Sequence, residues 1–85
     1  MLNADSRRKR ILIVEDERDI GQLVSLHLED LGYETEHVLD GNKGAEALEK
    51  DQYDLVILDI MLPGQSGFSV CEKIRSNGIT TPLLF

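Results

Sequence analysis

The chain has 85 residues and a formal charge of −7, which allows one small domain and excludes a multidomain enzyme. Hydrophobic residues make up 41% of it, so the composition is that of a folding protein rather than a disordered one. Four of the 9 basic side chains fall within residues 1–10. Residues 11–85 are therefore strongly acidic, which argues against general affinity for a polyanion such as DNA.

The chain begins with a basic segment, and residues 1–9 are interpreted as a flexible tail before one domain over residues 10–85. The apolar run Ile11–Val14 is too short for the core of a signal peptide, and acidic residues follow it at once. No apolar run approaches the roughly 18 residues that indicate a membrane span. The sequence therefore predicts a cytoplasmic protein.

Four strands are predicted along the domain. The first, Ile11–Val14, and the third, Leu55–Leu58, are continuous apolar runs typical of strands buried on both faces. The second, Glu34–Val38, is more polar and fits an edge strand. The fourth runs over Pro82–Phe85, and its proline stands at the first position of the strand, where it is tolerated.

Three helical patterns lie between these strands. The first helix is predicted to bury an apolar stripe and to end at Gly32. The stripe consists of Ile20, Leu23, Val24, Leu28 and Leu31. The second helix begins near Asn42 and carries Ala45, Ala47 and Leu48. The third carries Phe68, Val70, Cys71 and Ile74, with Ser66 placed to cap it and Asn77-Gly78 to end it.

Strands that alternate with helices of this length predict an α/β fold with right-handed crossovers and a parallel sheet covered on both faces. The single cysteine, Cys71, excludes an internal disulfide and is interpreted as a small buried hydrophobic residue. His27 and His37 lie ten residues apart, without the spacing of metal ligands, and are interpreted as surface or half-buried packing residues.

Acidic residues follow two of the buried strands, at the sheet edge where ligands of parallel sheets bind. Glu15, Asp16 and Glu17 follow the first strand, and Asp59 follows the third. If these strands are neighbours, the carboxylates converge, and a hard cation such as Mg²⁺ would relieve a repulsion of roughly 3 kcal/mol per pair. One carboxylate could then accept a phosphoryl group. Alternatively, the negative charges of Glu15, Asp16 and Glu17 only stabilise the N-terminus of the following helix, and Asp59 is an ordinary loop residue.

The segments ILIVEDE and LVILDIMLPGQSG, at their spacing of some forty residues, resemble the receiver domain of two-component response regulators. The resemblance runs from Arg10 to Phe85 and is closest to members that act as transcription factors. It implies a flavodoxin-like, doubly wound parallel sheet with the strand order 2-1-3-4.

The resemblance also implies a role for each residue that matches the family's pattern. Asp59 would accept the phosphoryl group from a phosphohistidine of a sensor histidine kinase, and the protein would not be a turnover enzyme. Asp16 would bind Mg²⁺, and Glu15 would reach the metal through water. The backbone carbonyl of Met61 would complete the metal's protein ligands. The loop beside the site would be shaped by Pro63, Gly64 and Gly67.

The chain ends inside the predicted fourth strand, so it is expected to be a truncated receiver without the fifth strand and the last two helices. The family's switch Ser or Thr and its Lys would then be absent, because Thr80 and Thr81 precede the fourth strand. Phosphotransfer is therefore expected to be slow or absent, while Mg²⁺ still binds. The exposed strand edge predicts a homodimer or a domain-swapped oligomer, and DNA would be reached only through an output domain.

Two alternatives stay open from the sequence. One is a Mg²⁺-dependent aspartyl phosphatase, but that class uses a second Asp two residues after the nucleophile, where this chain has Met61. The other is a non-catalytic folding or assembly fragment that pairs with itself or with another half-domain.

Overall fold

The computed structural model describes residues 8–59, 61–62 and 65–85. Its six described strands are β1 (Arg10–Val14), β2 (Glu34–Val38), β3 (Leu55–Leu58), β4 (Met61–Leu62), β5 (Gln65–Ser66) and β6 (Leu83–Leu84). Four of them form a parallel sheet in the order β2-β1-β3-β6, which confirms the predicted order because β6 is the expected fourth strand. The antiparallel pair β4-β5, which the sequence analysis did not predict, forms a separate small ribbon.

The three described helices are α1 (Arg18–Asp30), α2 (Gly41–Lys50) and α3 (Gly67–Ser76). Ser66 caps α3 as predicted, since its hydroxyl accepts a hydrogen bond from the backbone N–H of Ser69 at 3.2 Å. Gly78 follows α3 with a φ of 81°, in the left-handed region that favours glycine.

The main core lies between the sheet and the two helices α2 and α3. Its buried members are Leu12, Val14, Leu48, Tyr53, Val56, Leu58, Val70 and Ile74. Side chains alternate along a strand, so Ile11 and Ile13 of β1 point to the opposite face, where they are also buried. Cys71 is only half-buried against the core rather than fully buried as predicted.

The apolar stripe predicted to be buried on α1 is largely exposed, and this prediction is wrong. Leu23 is 56% exposed and Leu31 is 75% exposed. The helix faces β2 instead through small and polar residues: Gly21 is buried, and Ser25 hydrogen-bonds to Thr35. Ile20 is exposed as well, whereas Val24 and Leu28 are half-buried, so only part of the stripe is covered by the described residues.

The end of the sheet where β1 begins is held by Arg10. Its backbone N–H donates to Asp54 Oδ2 at 2.8 Å, and its guanidinium lies 4.7 Å from the centre of the Tyr53 ring. The guanidinium also lies within 4 Å of carboxylates of Glu34 and Asp51. Arg10 therefore joins three neighbouring segments at the sheet edge opposite to the one where the acidic residues gather.

Candidate functional site

The acidic residues gather because β1 and β3 are neighbouring parallel strands in register, with Val14 opposite Leu58. Each acidic segment starts one residue later. The backbone N–H of Asp59 donates to the carbonyl of Val14 at 3.1 Å, which continues the pairing of the two strands beyond their ends. One carboxylate oxygen from each of Glu15, Asp16 and Asp59 lies within 4.8 Å of the others. The tertiary fold thus brings together the three carboxylates that the sequence analysis singled out.

The three carboxylates are half-buried, so their repulsion is only partly screened by water. Burial raises the pKa of Glu15 above its ordinary value. A hydrogen bond with the Asp16 side chain and the charges of Asp59 and Asp16 raise it further, whereas a hydrogen bond from the backbone N–H of Glu17 lowers it. The Glu15 carboxyl therefore holds its proton more tightly than an isolated glutamate does.

The chemistry of the donors indicates which cation fits. All three offered atoms are carboxylate oxygens, and the described residues add no His or Cys to the group. Hard divalent ions such as Mg²⁺ prefer oxygen ligands, whereas Zn²⁺ sites in proteins usually include nitrogen or sulfur. A partly open cluster also leaves room for the waters that Mg²⁺ retains. The residues present therefore fit Mg²⁺.

The other residues predicted for the site, Met61, Pro63, Gly64 and Gly67, are not part of the carboxylate cluster. Met61 begins β4, two residues after Asp59, and the structure describes its backbone as part of the β4-β5 ribbon. Pro63 and Gly64 lie outside the described residues. Gly67 is buried as the first residue of α3, and its φ is not positive, so it does not need the conformational freedom of glycine.

His37 lies half-buried in β2, as the sequence analysis allowed, but its contact with the acidic loop was not predicted. Its ring lies against the acidic loop, with Nε2 at 2.8 Å from the backbone carbonyl oxygen of Glu15. The predicted strands already indicated that His37 lies near the acidic loop, because parallel pairing of β1 with β2 places Val38 opposite Val14. Residue 37 therefore had to lie near the point where β1 enters the acidic segment, although the pattern did not show the direction of the ring.

The raised pKa of Glu15 predicts that stabilisation of the fold by Mg²⁺ is larger at neutral than at mildly acidic pH. The folded protein holds the Glu15 proton more tightly than the unfolded chain, so without metal its stability falls as pH rises through that pKa. A Mg²⁺ ion held by the cluster would offset this loss only where the Glu15 carboxyl is ionised. Thermal melts with and without MgCl₂, at neutral and at mildly acidic pH, measure the gain in stability at each pH. The Glu15→Gln variant should show a smaller difference between the two gains. Equal gains at both pH values would contradict the prediction.

No described helix is both long enough and apolar enough to cross a membrane.

Comparison with known proteins identifies relatives over nearly the whole chain. The model of the response regulator receiver domain family matches residues 11–85. The transcriptional regulatory protein DltR of Streptococcus agalactiae is 45% identical over 76 residues, which are 89% of this chain and 34% of that protein. The chain thus spans about a third of the length of this curated relative.

Two solved structures resemble the fold closely. Response regulator TrrA from Thermotoga maritima, in complex with Mg²⁺-BeF, is 42% identical with a TM-score of 0.77, covering 81% of this chain and 60% of its own. A structure of histidine kinase ThkA in complex with TrrA matches at 39% identity and a TM-score of 0.78, covering 88% of this chain and 66% of the matched one.

Proposed function

The chain belongs to the response regulator receiver domain family, and from this premise we propose that Asp59 accepts a phosphoryl group from a histidine kinase of a two-component system. The observation that carries the proposal is the cluster of three carboxylate oxygens within 4.8 Å at the ends of β1 and β3. Such a cluster is costly without a cation, and an oxygen-only site for Mg²⁺ beside a carboxylate nucleophile suits phosphoryl transfer.

The proposed metal ligands combine the carboxylate cluster with the roles that membership of the family implies for Glu15 and Met61. Asp16 and Asp59 would bind Mg²⁺ through their carboxylates, Glu15 through a water molecule, and Met61 through its backbone carbonyl. The TrrA structure with Mg²⁺-BeF supports the choice of metal, because that relative is 42% identical to this chain. When bound, Mg²⁺ supplies positive charge that offsets the charge of the carboxylates and of the incoming phosphoryl group.

The chain's own part in the reaction is positioning and nucleophilic attack. A carboxylate oxygen of Asp59 forms a bond to phosphorus while the bond from phosphorus to the kinase imidazole breaks, so that the imidazole leaves with the bonding electron pair. The product is an acyl phosphate on Asp59. The hydrogen bond from the Asp59 N–H to the carbonyl of Val14 holds the main chain at the nucleophile in place, so less freedom is lost when the phosphodonor binds. Asp59 is consumed in each event, so the chain acts as an acceptor and not as a turnover enzyme.

The proposed partners follow from the relatives. The ThkA–TrrA complex supports a histidine kinase as the phosphodonor. We propose the cytoplasm as the place of this transfer. Relatives such as DltR are transcriptional regulators about three times as long as the matched segment, so DNA would be reached through an output domain outside this chain. A homodimer or a domain-swapped oligomer is also proposed, because Leu84 of the outer strand β6 and the adjacent Phe85 are 55% and 51% exposed. Light scattering checks it, and a monomer at all concentrations would contradict it.

The proposal is tested by incubating the protein with a small phosphodonor, with and without Mg²⁺, and measuring its intact mass over time. We expect slow addition of one phosphoryl group that requires Mg²⁺, is released by hydroxylamine as an acyl phosphate should be, and maps to the peptide containing Asp59. Addition that ignores Mg²⁺, or that maps to another residue, would contradict the proposal.

A further inference from the structure

The His37 ring occupies the space between α1 and the end of β1. Its Nε2 lies 2.8 Å from the backbone carbonyl oxygen of Glu15, and a carbonyl oxygen can only accept a hydrogen bond. The ring must therefore carry a hydrogen on Nε2 and donate it. The bond is half-buried, so water competes with it less than at an open surface.

This bond completes a two-point attachment of Glu15 to β2. The backbone N–H of Glu15 donates to the carbonyl of Val38 at 3.1 Å, and its carbonyl accepts from His37. Both partners are neighbours on the same strand. The peptide groups on either side of the Glu15 α-carbon are thus held to the sheet, and the second of them leads directly into Asp16.

Helix α1 leaves space for the His37 ring at Gly21. This residue is buried in α1, and a Cβ at its position would overlap the imidazole ring of His37. Only glycine at this helical position leaves room for the ring without displacing it. The Gly21 and His37 pair therefore has a steric complementarity that neither residue shows alone.

We infer that His37 is a positioning residue for the proposed metal site, an inference that rests on the proposed function. The carboxylates of Glu15, Asp16 and Asp59 repel one another, so without restraint the loop after β1 would move away from Asp59. The hydrogen bond to the Glu15 carbonyl opposes this movement and keeps the loop in the conformation that binds the cation. His37 does not bind the metal in this arrangement, because its Nε2 is engaged with the carbonyl.

A purely structural role would give a different result. If the ring only fills space, its loss lowers the stability of the fold and leaves the affinity of the folded protein for Mg²⁺ unchanged. If it positions the loop, its loss lowers that affinity, because groups behind the ligands typically contribute tenfold or more to it. Restoring the hydrogen bond without the ring should then restore the affinity.

The test is the affinity for Mg²⁺ alone, measured by isothermal titration calorimetry, with urea denaturation as a separate readout. His37→Leu removes the donor and keeps an apolar side chain, and we expect affinity to fall by roughly tenfold. His37→Gln places an amide N–H near the position of Nε2, and should recover most of the loss. His27→Leu, at an exposed position on α1, is the matched control and should leave affinity unchanged.

Each other outcome has a definite meaning. Native affinity in His37→Leu would overturn the inference, and equal losses in His37→Leu and His37→Gln would assign the effect to packing and overturn it too. If His37→Leu does not fold, the double variant Gly21→Ala/His37→Ala removes the donor while filling part of the space, and native affinity in it would overturn the inference. Absence of Mg²⁺ binding in the native protein would instead contradict the proposed function.

Discussion

Asp59→Asn abolishes Mg²⁺-dependent phosphoryl uptake, the largest effect that we expect from any single substitution in this chain. The amide has nearly the shape of the carboxylate, but it is uncharged, a poor nucleophile, and a weaker ligand for Mg²⁺. The intact mass after incubation with a small phosphodonor and Mg²⁺ should therefore stay that of the unmodified variant.

The matched control is Asp30→Asn, which makes the same change at an exposed position on α1. Uptake by this control should equal that of the native protein, and uptake remaining in Asp59→Asn would show that another residue accepts the group.

Asp16→Asn weakens Mg²⁺ binding by roughly 100-fold or more, because loss of a direct ligand should cost at least as much as loss of an outer-shell partner. The variant keeps the size of the side chain and removes the charge of the residue that lies between Glu15 and the start of α1. Calorimetric titration with Mg²⁺ measures the loss, which should exceed that of His37→Leu.

Glu17→Gln provides the matched control for Asp16→Asn. Glu17 belongs to the same acidic segment, but its side chain is exposed and is not part of the carboxylate cluster. Its backbone N–H donates to Glu15, a contact that the substitution leaves in place. We expect nearly native affinity in this variant. Similar losses in Asp16→Asn and Glu17→Gln would show that the overall charge of the segment attracts the cation, without specific ligands.

Much of the fold and the location of the site could be predicted from local patterns in the sequence. The apolar runs Ile11–Val14 and Leu55–Leu58 are strands as expected, although only the first is buried on both faces: in the second, Leu55 and Ile57 are half-buried. Ser66 caps α3 as its spacing from the apolar residues indicated. The convergence of the acidic residues followed because parallel neighbouring strands end at the same edge of the sheet. These features depend either on residues near one another in the chain or on the parallel topology that is usual when strands alternate with helices.

The sequence by itself thus determined the four strands of the parallel sheet, the three helices and the sheet edge at which the carboxylates meet, but not the β4-β5 ribbon. Only the tertiary structure decided that Leu23 stays exposed, that Gly21 faces His37, and that the His37 ring reaches the carbonyl of Glu15. The physical reason is that periodicity shows which side of a helix is apolar but not how the helix is rotated against a sheet. That rotation depends on contacts between side chains far apart in the sequence, such as the hydrogen bonds that Thr35 of β2 makes with Ser25 and Glu29 of α1.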